Sequence, residues 1–224
     1  MDVAYPYADS LSRRQLLYRL PAAPEPRRLL LVAEDTDSRS IGAAWGGPVT
    51  VMAAAELEAA PVPRGTAFDA VALPWTSGRQ AAAGGDGIGL LQQAHRLLAM
   101  GGVVVGHLHN THTLKRLVTA SGLASMLSAA VRPDAMGSAA ACGAALRRAG
   151  FVQAECWYVQ PSIDSPMGLI PADPVAARAH FLRAIRSAQG HYSRPAYAAR
   201  LLVAALGLGG MQQSELFFWA TKPC

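Results

Sequence analysis

The sequence predicts an α/β fold: a three-layer sandwich around a doubly wound, mostly parallel sheet of about six or seven strands, the last of them antiparallel. Three observations predict it. Short runs rich in Val and Leu recur along the chain, amphipathic helical tracts separate several of them, and a final bulky run follows a long helical stretch. Continuous apolar strands alternating with helices are the pattern of a parallel sheet buried on both faces.

The strands expected in order are "RLLLVAE" (28–34), "PVTVMA" (48–53), "FDAVALPW" (68–75), "GGVVVGHL" (101–108), "FVQAECWYV" (151–159) and "ELFFWATK" (215–222). Between them, "LLQQAHRLLAM" puts Leu90, Leu91, Ala94, Leu97 and Leu98 on one helical face, and "GSAAACGAALRRAG" runs into Gly150 as a stop. Asp173 followed by Pro174 reads as an N-cap with proline at the first helical position, opening the tract "DPVAARAHFLRAIRSA" and then "PAYAARLLVAALG". The last strand, with its Phe-Phe-Trp bulk, is expected to insert antiparallel. One domain over residues 1–224 accommodates this order: an N-terminal extension over 1–27, a Pro-rich loop over 160–174 and a helical cover over 174–210.

Composition narrows the function classes. Hydrophobic residues make up 51% and charged residues 16%, which excludes a disordered chain and favours a filled core or an apolar partner surface. The formal charge of +5 comes with arginine pairs scattered along the chain and without interleaved aromatics, so nucleic-acid binding is not expected. Cys142, Cys156 and Cys224 are too few and too irregularly spaced for a disulfide framework or a metal knuckle, and a reducing cytoplasm is the expected location. The opening "MDVAYPYADSLSRRQ" lacks the basic and apolar regions of a secretory signal. "LLVAALGLGGM" is too short for a membrane span.

Several segments together resemble one family. "LLQQAHRLLAMGGVVVGHL" is similar to the helix, "RxLxxGG" turn and fifth strand of the class I S-adenosylmethionine (SAM) dependent methyltransferases; "FDAVALPW" is similar to that family's fourth strand and "LRRAGFVQAECWYV" to its "LxxAGF" passage. The resemblance runs over residues 28–160 and the final strand. It implies a Rossmann-like fold, SAM as cofactor and a methyl-transfer crevice along Ala33, Glu34, Asp35, Asp37, Glu56 and Pro74. In the family the turn after the first strand reads roughly Gly-x-Gly-x-Gly, so that bare backbone passes close to the cofactor. Here those positions fall on Ala33, Asp35 and Asp37 in "LLLVAEDTDSRSIGAA". Two aspartates and Glu34 would meet the cofactor's carboxylate, and one like-charge pair at 4 Å costs about 4 kcal/mol at an effective dielectric near 20. The family's ribose-binding acid ends the second strand, whereas here Ala53, Ala54 and Ala55 follow it and the nearest acids, Glu56 and Glu58, read as the start of a helix. Only "AAELEAAPVPRGTA" separates Met52 from Phe68, too little for a standard helix, strand and helix.

Chemistry-bearing residues cluster elsewhere. "GHLHNTH" holds His107, His109 and His112 at the carboxyl end of an expected central strand, where a doubly wound sheet opens onto its crevice. Imidazole near neutrality serves as acid or base, so His107 and His109 are the catalytic candidates. HxHxxH without a nearby Asp, Glu or Cys is a poor metal signature, and no metal is expected. Asn110-Thr111 reads as an N-cap for the segment that follows. Trp75 and Ser77, after the fourth strand, would line an acceptor pocket, and "AAAGGDGIGL" reads as a loop. Two functions follow: a methyltransferase-like protein with a degenerate SAM site acting as a binding or partner subunit, in a bacterial biosynthetic pathway, or an active O- or N-methyltransferase acting on a small molecule or peptide. The apolar face of "AYAARLLVAALGLGGM" would cover the sheet or form a homo- or hetero-oligomer interface.

Overall fold

The computed structural model describes residues 18, 28–33, 39, 41–42, 45–59, 67–74, 87–110, 113, 136–160, 162–163, 166–191, 193–213 and 215–224. Seven strands form one sheet: β1 (Leu29–Val32), β2 (Val49–Met52), β3 (Phe68–Pro74), β4 (Leu98–His109), β5 (Val152–Gln160), β6 (Gly168–Pro171) and β7 (Glu215–Thr221). Their order is β2-β1-β3-β4-β7-β5-β6. The first four pair in parallel, whereas β7 runs antiparallel between β4 and β5. The mixed α/β sheet and its antiparallel last strand are those the sequence predicts.

Alternation along each strand builds two cores. Leu30, Val32, Val71, Leu73, Val104, Leu108 and Phe218 face one side, against α1 (Ala54–Ala59), α2 (Gly87–Leu97) and α3 (Ala139–Arg148). Leu29, Leu31, Ala70, Ala72, Val105 and Phe217 face the other, where they meet Tyr18, Ile41 and Trp45. Both sheet faces are therefore apolar, which is why β1 reads as an unbroken hydrophobic run. Close strand approach at the centre requires a glycine: a Cβ on Gly106 would lie 2.6 Å from the Leu73 carbonyl oxygen and 2.6 Å from Phe218 Cζ.

Local signals set the helix ends. Leu90, Leu91, Ala94 and Leu97 are buried on α2, while Leu98 already begins β4. α3 starts at the Ser138 cap and stops in a Schellman arrangement: Gly150, at φ 99°, donates to the Arg147 carbonyl at 3.1 Å and Phe151 to that of Leu146 at 3.1 Å. Asp173 caps α4 (Pro174–Ser187) as its sequence predicts, its Oδ1 accepting from Val175 N at 3.1 Å and Ala176 N at 2.9 Å. α5 (Arg194–Ala205) follows, and the two helices pack with β6 and Tyr158 around Ile170, Ala177, Phe181, Ile185 and Ala204.

Two segments differ from expectation. The Pro-rich stretch 160–174 is not all loop, because Gly168–Pro171 forms β6 and pairs antiparallel with β5. Pro171 is compatible with a strand here because β6 is the sheet edge, where an unpaired position needs no N–H. Gly87–Leu90, the end of the glycine-rich "AAAGGDGIGL", belongs to α2 rather than to a loop. At the opposite edge β2 is terminal among the described residues, consistent with the short Met52 to Phe68 connection.

Candidate functional site at the carboxyl end of the central strand

His107 and His109 occupy alternate positions on β4 and so lie on the same face, the one lined by Val105. His107 stands beside Pro74 of β3 and Phe217 of β7 in register and is almost fully buried. Its Nδ1 is hydrogen-bonded to the Tyr18 hydroxyl. The Tyr18 ring meets Phe217 edge-on, with centroids 5.7 Å apart and planes at 89°. When the phenol donates, the imidazole proton resides on Nε2, and when it accepts, on Nδ1; in both cases Tyr18 fixes the orientation of the ring. A buried imidazole held in this way can exchange a proton at the crevice end of the strand.

Polar groups continue past His107. His109 lies opposite Glu215 in the β4 and β7 register, and the buried Glu215 carboxylate accepts from the Ile163 backbone N–H. Asn110, also buried, donates from Nδ2 to the carbonyl oxygens of Gly210 at 3.0 Å and Gln213 at 2.8 Å. That amide therefore ties the strand end to the turn before β7, a role its place before Thr111 did not suggest. Among the described residues no three His, Cys, Asp or Glu side chains gather to hold a metal ion. His112 and Thr111 lie outside the described residues.

The cofactor positions implied by the resemblance are described in part. Ala33 is buried at the end of β1, and its N–H donates to the Met52 carbonyl at 3.0 Å. Glu34, Asp35 and Asp37 lie outside the described residues, as do Trp75 and Ser77. Pro74 ends β3 next to His107. Glu56 sits in the first turn of α1, where its Oε2 accepts from the Ala53 N–H at 2.8 Å. This is half of a capping box, a reciprocal helix-start contact. The position following β2 is thus held by an alanine, with the nearest described carboxylate engaged at the start of its own helix.

The site residues not singled out from sequence are Tyr18, Gln213 and Glu215. Glu215 is a polar residue at the head of an otherwise apolar strand, and the antiparallel placement of β7 was the available signal that it would lie opposite His109, while Gln213 belongs to the turn before β7. Tyr18 carried no signal, because nothing local specifies where an N-terminal segment docks. The other potential nucleophiles lie away from this corner. Cys142 of α3 and Cys156 of β5 belong with the opposite core, where a thiol hydrogen bond and burial push Cys142 up while the same bond draws Cys156 down.

The architecture matches solved structures. Two structures of Haemonchus contortus phosphoethanolamine N-methyltransferase 2 superpose on 95% of this chain with a TM-score of 0.51, at 14% and 16% sequence identity. The fold is that of the class I SAM-dependent methyltransferases. One of the two was solved with phosphomonomethylethanolamine and S-adenosylhomocysteine, the other with SAM. The chain spans about half the length of those proteins, 53% of each. No protein-family profile matches the sequence, and no curated protein matches it. β3 and β4 are the strands whose sequences resemble the family's fourth and fifth, and His107 lies near the carboxyl end of β4.

Proposed function

We propose that this chain is a methyltransferase-fold protein whose SAM site is degenerate and which works as a binding or partner subunit, in a bacterial biosynthetic pathway. The observation that carries the reading is the end of β2. Two ribose hydroxyls need a carboxylate at that point, yet the chain offers Ala53, and Glu56, three residues on, turns its Oε2 back to the Ala53 N–H in the first turn of α1. The sequence of the first turn supports it, because Ala33, Asp35 and Asp37 replace the backbone-only positions with side chains, two of them anionic. On this reading the crevice lacks the bare backbone and the strand-end carboxylate that a SAM nucleotide would need.

One observation favours a second reading, an active methyltransferase acting on a small molecule or peptide. The pairing of Tyr18 with the buried His107 gives a positioned base at the crevice, and SAM is the cofactor to test because structures of this fold hold it. Catalysis on that reading would come from aligning acceptor and methyl donor, with Trp75 and Ser77 lining the acceptor pocket. Isothermal titration with SAM and with S-adenosylhomocysteine separates the two. The degenerate-site reading expects no binding tighter than about 1 mM, the range of roughly 4 kcal/mol. Micromolar binding of either molecule would overturn it and make loss of turnover in His107→Ala the next measurement.

A further inference from the structure

The helical cover exposes what a packed helix pair should bury. On α5, Pro195, Ala199, Leu202 and Leu206 recur at helical spacing and are all exposed, while Tyr197, Leu201 and Ala204 on the other side pack inward. Leu202 is 60% and Leu206 64% exposed, and Val175 at the start of α4 and Met167 before β6 are each 77% exposed. The two helices follow one another closely in the chain and pack together around Ala177, Phe181, Ile185 and Ala204.

Charge on this hairpin has one sign. From Pro174 to Ser214 the chain carries Arg178, Arg183, Arg186, Arg194 and Arg200, and no Asp, Glu or Lys. All five arginines are exposed. They are distributed around both helices rather than converging on one point.

We infer that the α4–α5 face docks on an anionic lipid surface, with Leu202 and Leu206 entering the headgroup boundary and Arg178 and Arg186, which share the Val175 side of α4, meeting lipid phosphates. The charge complementarity selects the occupant. A second copy meeting this face through a two-fold axis would bring together two basic faces with no acid between Pro174 and Ser214 to offset them. A folded acidic protein would need a groove matched to isolated, protruding leucines, whereas a bilayer yields around a convex ridge and presents negative charge continuously. The inference goes beyond the proposed function and is independent of whether SAM binds.

Co-sedimentation with vesicles tests it, using phosphatidylcholine alone and phosphatidylcholine mixed equally with phosphatidylglycerol. The intact chain should bind the mixed vesicles, leave the neutral ones, and be released as salt is raised. Leu202→Asp with Leu206→Asp, and separately Arg178→Glu with Arg186→Glu, should each weaken binding about tenfold or more while leaving the thermal midpoint near that of the parent. Equal binding to both vesicle types, no binding to either, or variants that bind like the parent would overturn the inference. A dimer in solution that Leu202→Asp abolishes, together with no vesicle binding, would also overturn it and assign the face to self-association.

Discussion

Asn110 shows how a single side chain ties distant parts of this chain together. Its amide donates to two carbonyls about a hundred positions away and holds the turn before β7 against the end of β4. Truncation removes both N–H donors; the Gly210 oxygen keeps the Gln213 N–H at 3.1 Å, but the Gln213 oxygen loses the amide, so Asn110→Ala should lower unfolding free energy by about 1–3 kcal/mol in urea titration. An unchanged midpoint would mean that water replaces the amide without cost. Tyr18 acts in the same way on His107, its hydroxyl holding the imidazole by Nδ1. Neither pairing was legible in the sequence, because hydrogen bonds between residues so far apart leave no local pattern.

Helices and strands, in contrast, announce themselves locally. Asp173 followed by Pro174 predicts a helix start, and the carboxylate does accept from two first-turn amides. Asp173→Ala should therefore cost about 1 kcal/mol, read as a lower thermal midpoint, and Asp173→Asn should recover most of it. Equal midpoints for Asp173→Ala and the parent would show that packing of Phe181 and Ile185 alone holds α4. The six strands expected from sequence are present: β1, β3, β4 and β7 are apolar runs largely buried on both faces, whereas the more exposed β2 and β5 are held by pairing with β1 and β7. β6 escaped notice because its four residues, GLIP, gain strand geometry only by pairing with β5 at a sheet edge. Likewise the Ala-rich run after β2 begins a helix, as its composition suggests, and this places Glu56 where it caps that helix.

At the scale of the whole molecule, stability should depend on pH through one site where three elements meet. His95 on α2 packs edge-on against Phe151, with centroids 5.0 Å apart, and its Nε2 is enclosed without a full hydrogen bond. Desolvation, then the Lys222 ammonium, lower its pKa below the ordinary value near 6.5, with the Gly150 backbone opposing them. The unfolded chain then binds the extra proton more readily than the folded one, so acid favours unfolding. The thermal midpoint should fall as pH drops through about 6.5. His95→Asn should flatten that part of the profile, and an identical slope in both proteins would assign the acid sensitivity elsewhere.

The sequence by itself determined the α/β class, the chain order of six of the strands, the Asp173 helix start and the lack of glycine after β1, because hydrophobic period, capping chemistry and residue identity act over a few neighbours. Only the tertiary structure decided that Tyr18 reaches His107, that Glu215 lies opposite His109, and that one face of α5 is left outward with its leucines exposed. Those outcomes depend on which strands pair and how helices stack, and pairing is chosen by the burial of the whole sheet rather than by any one segment.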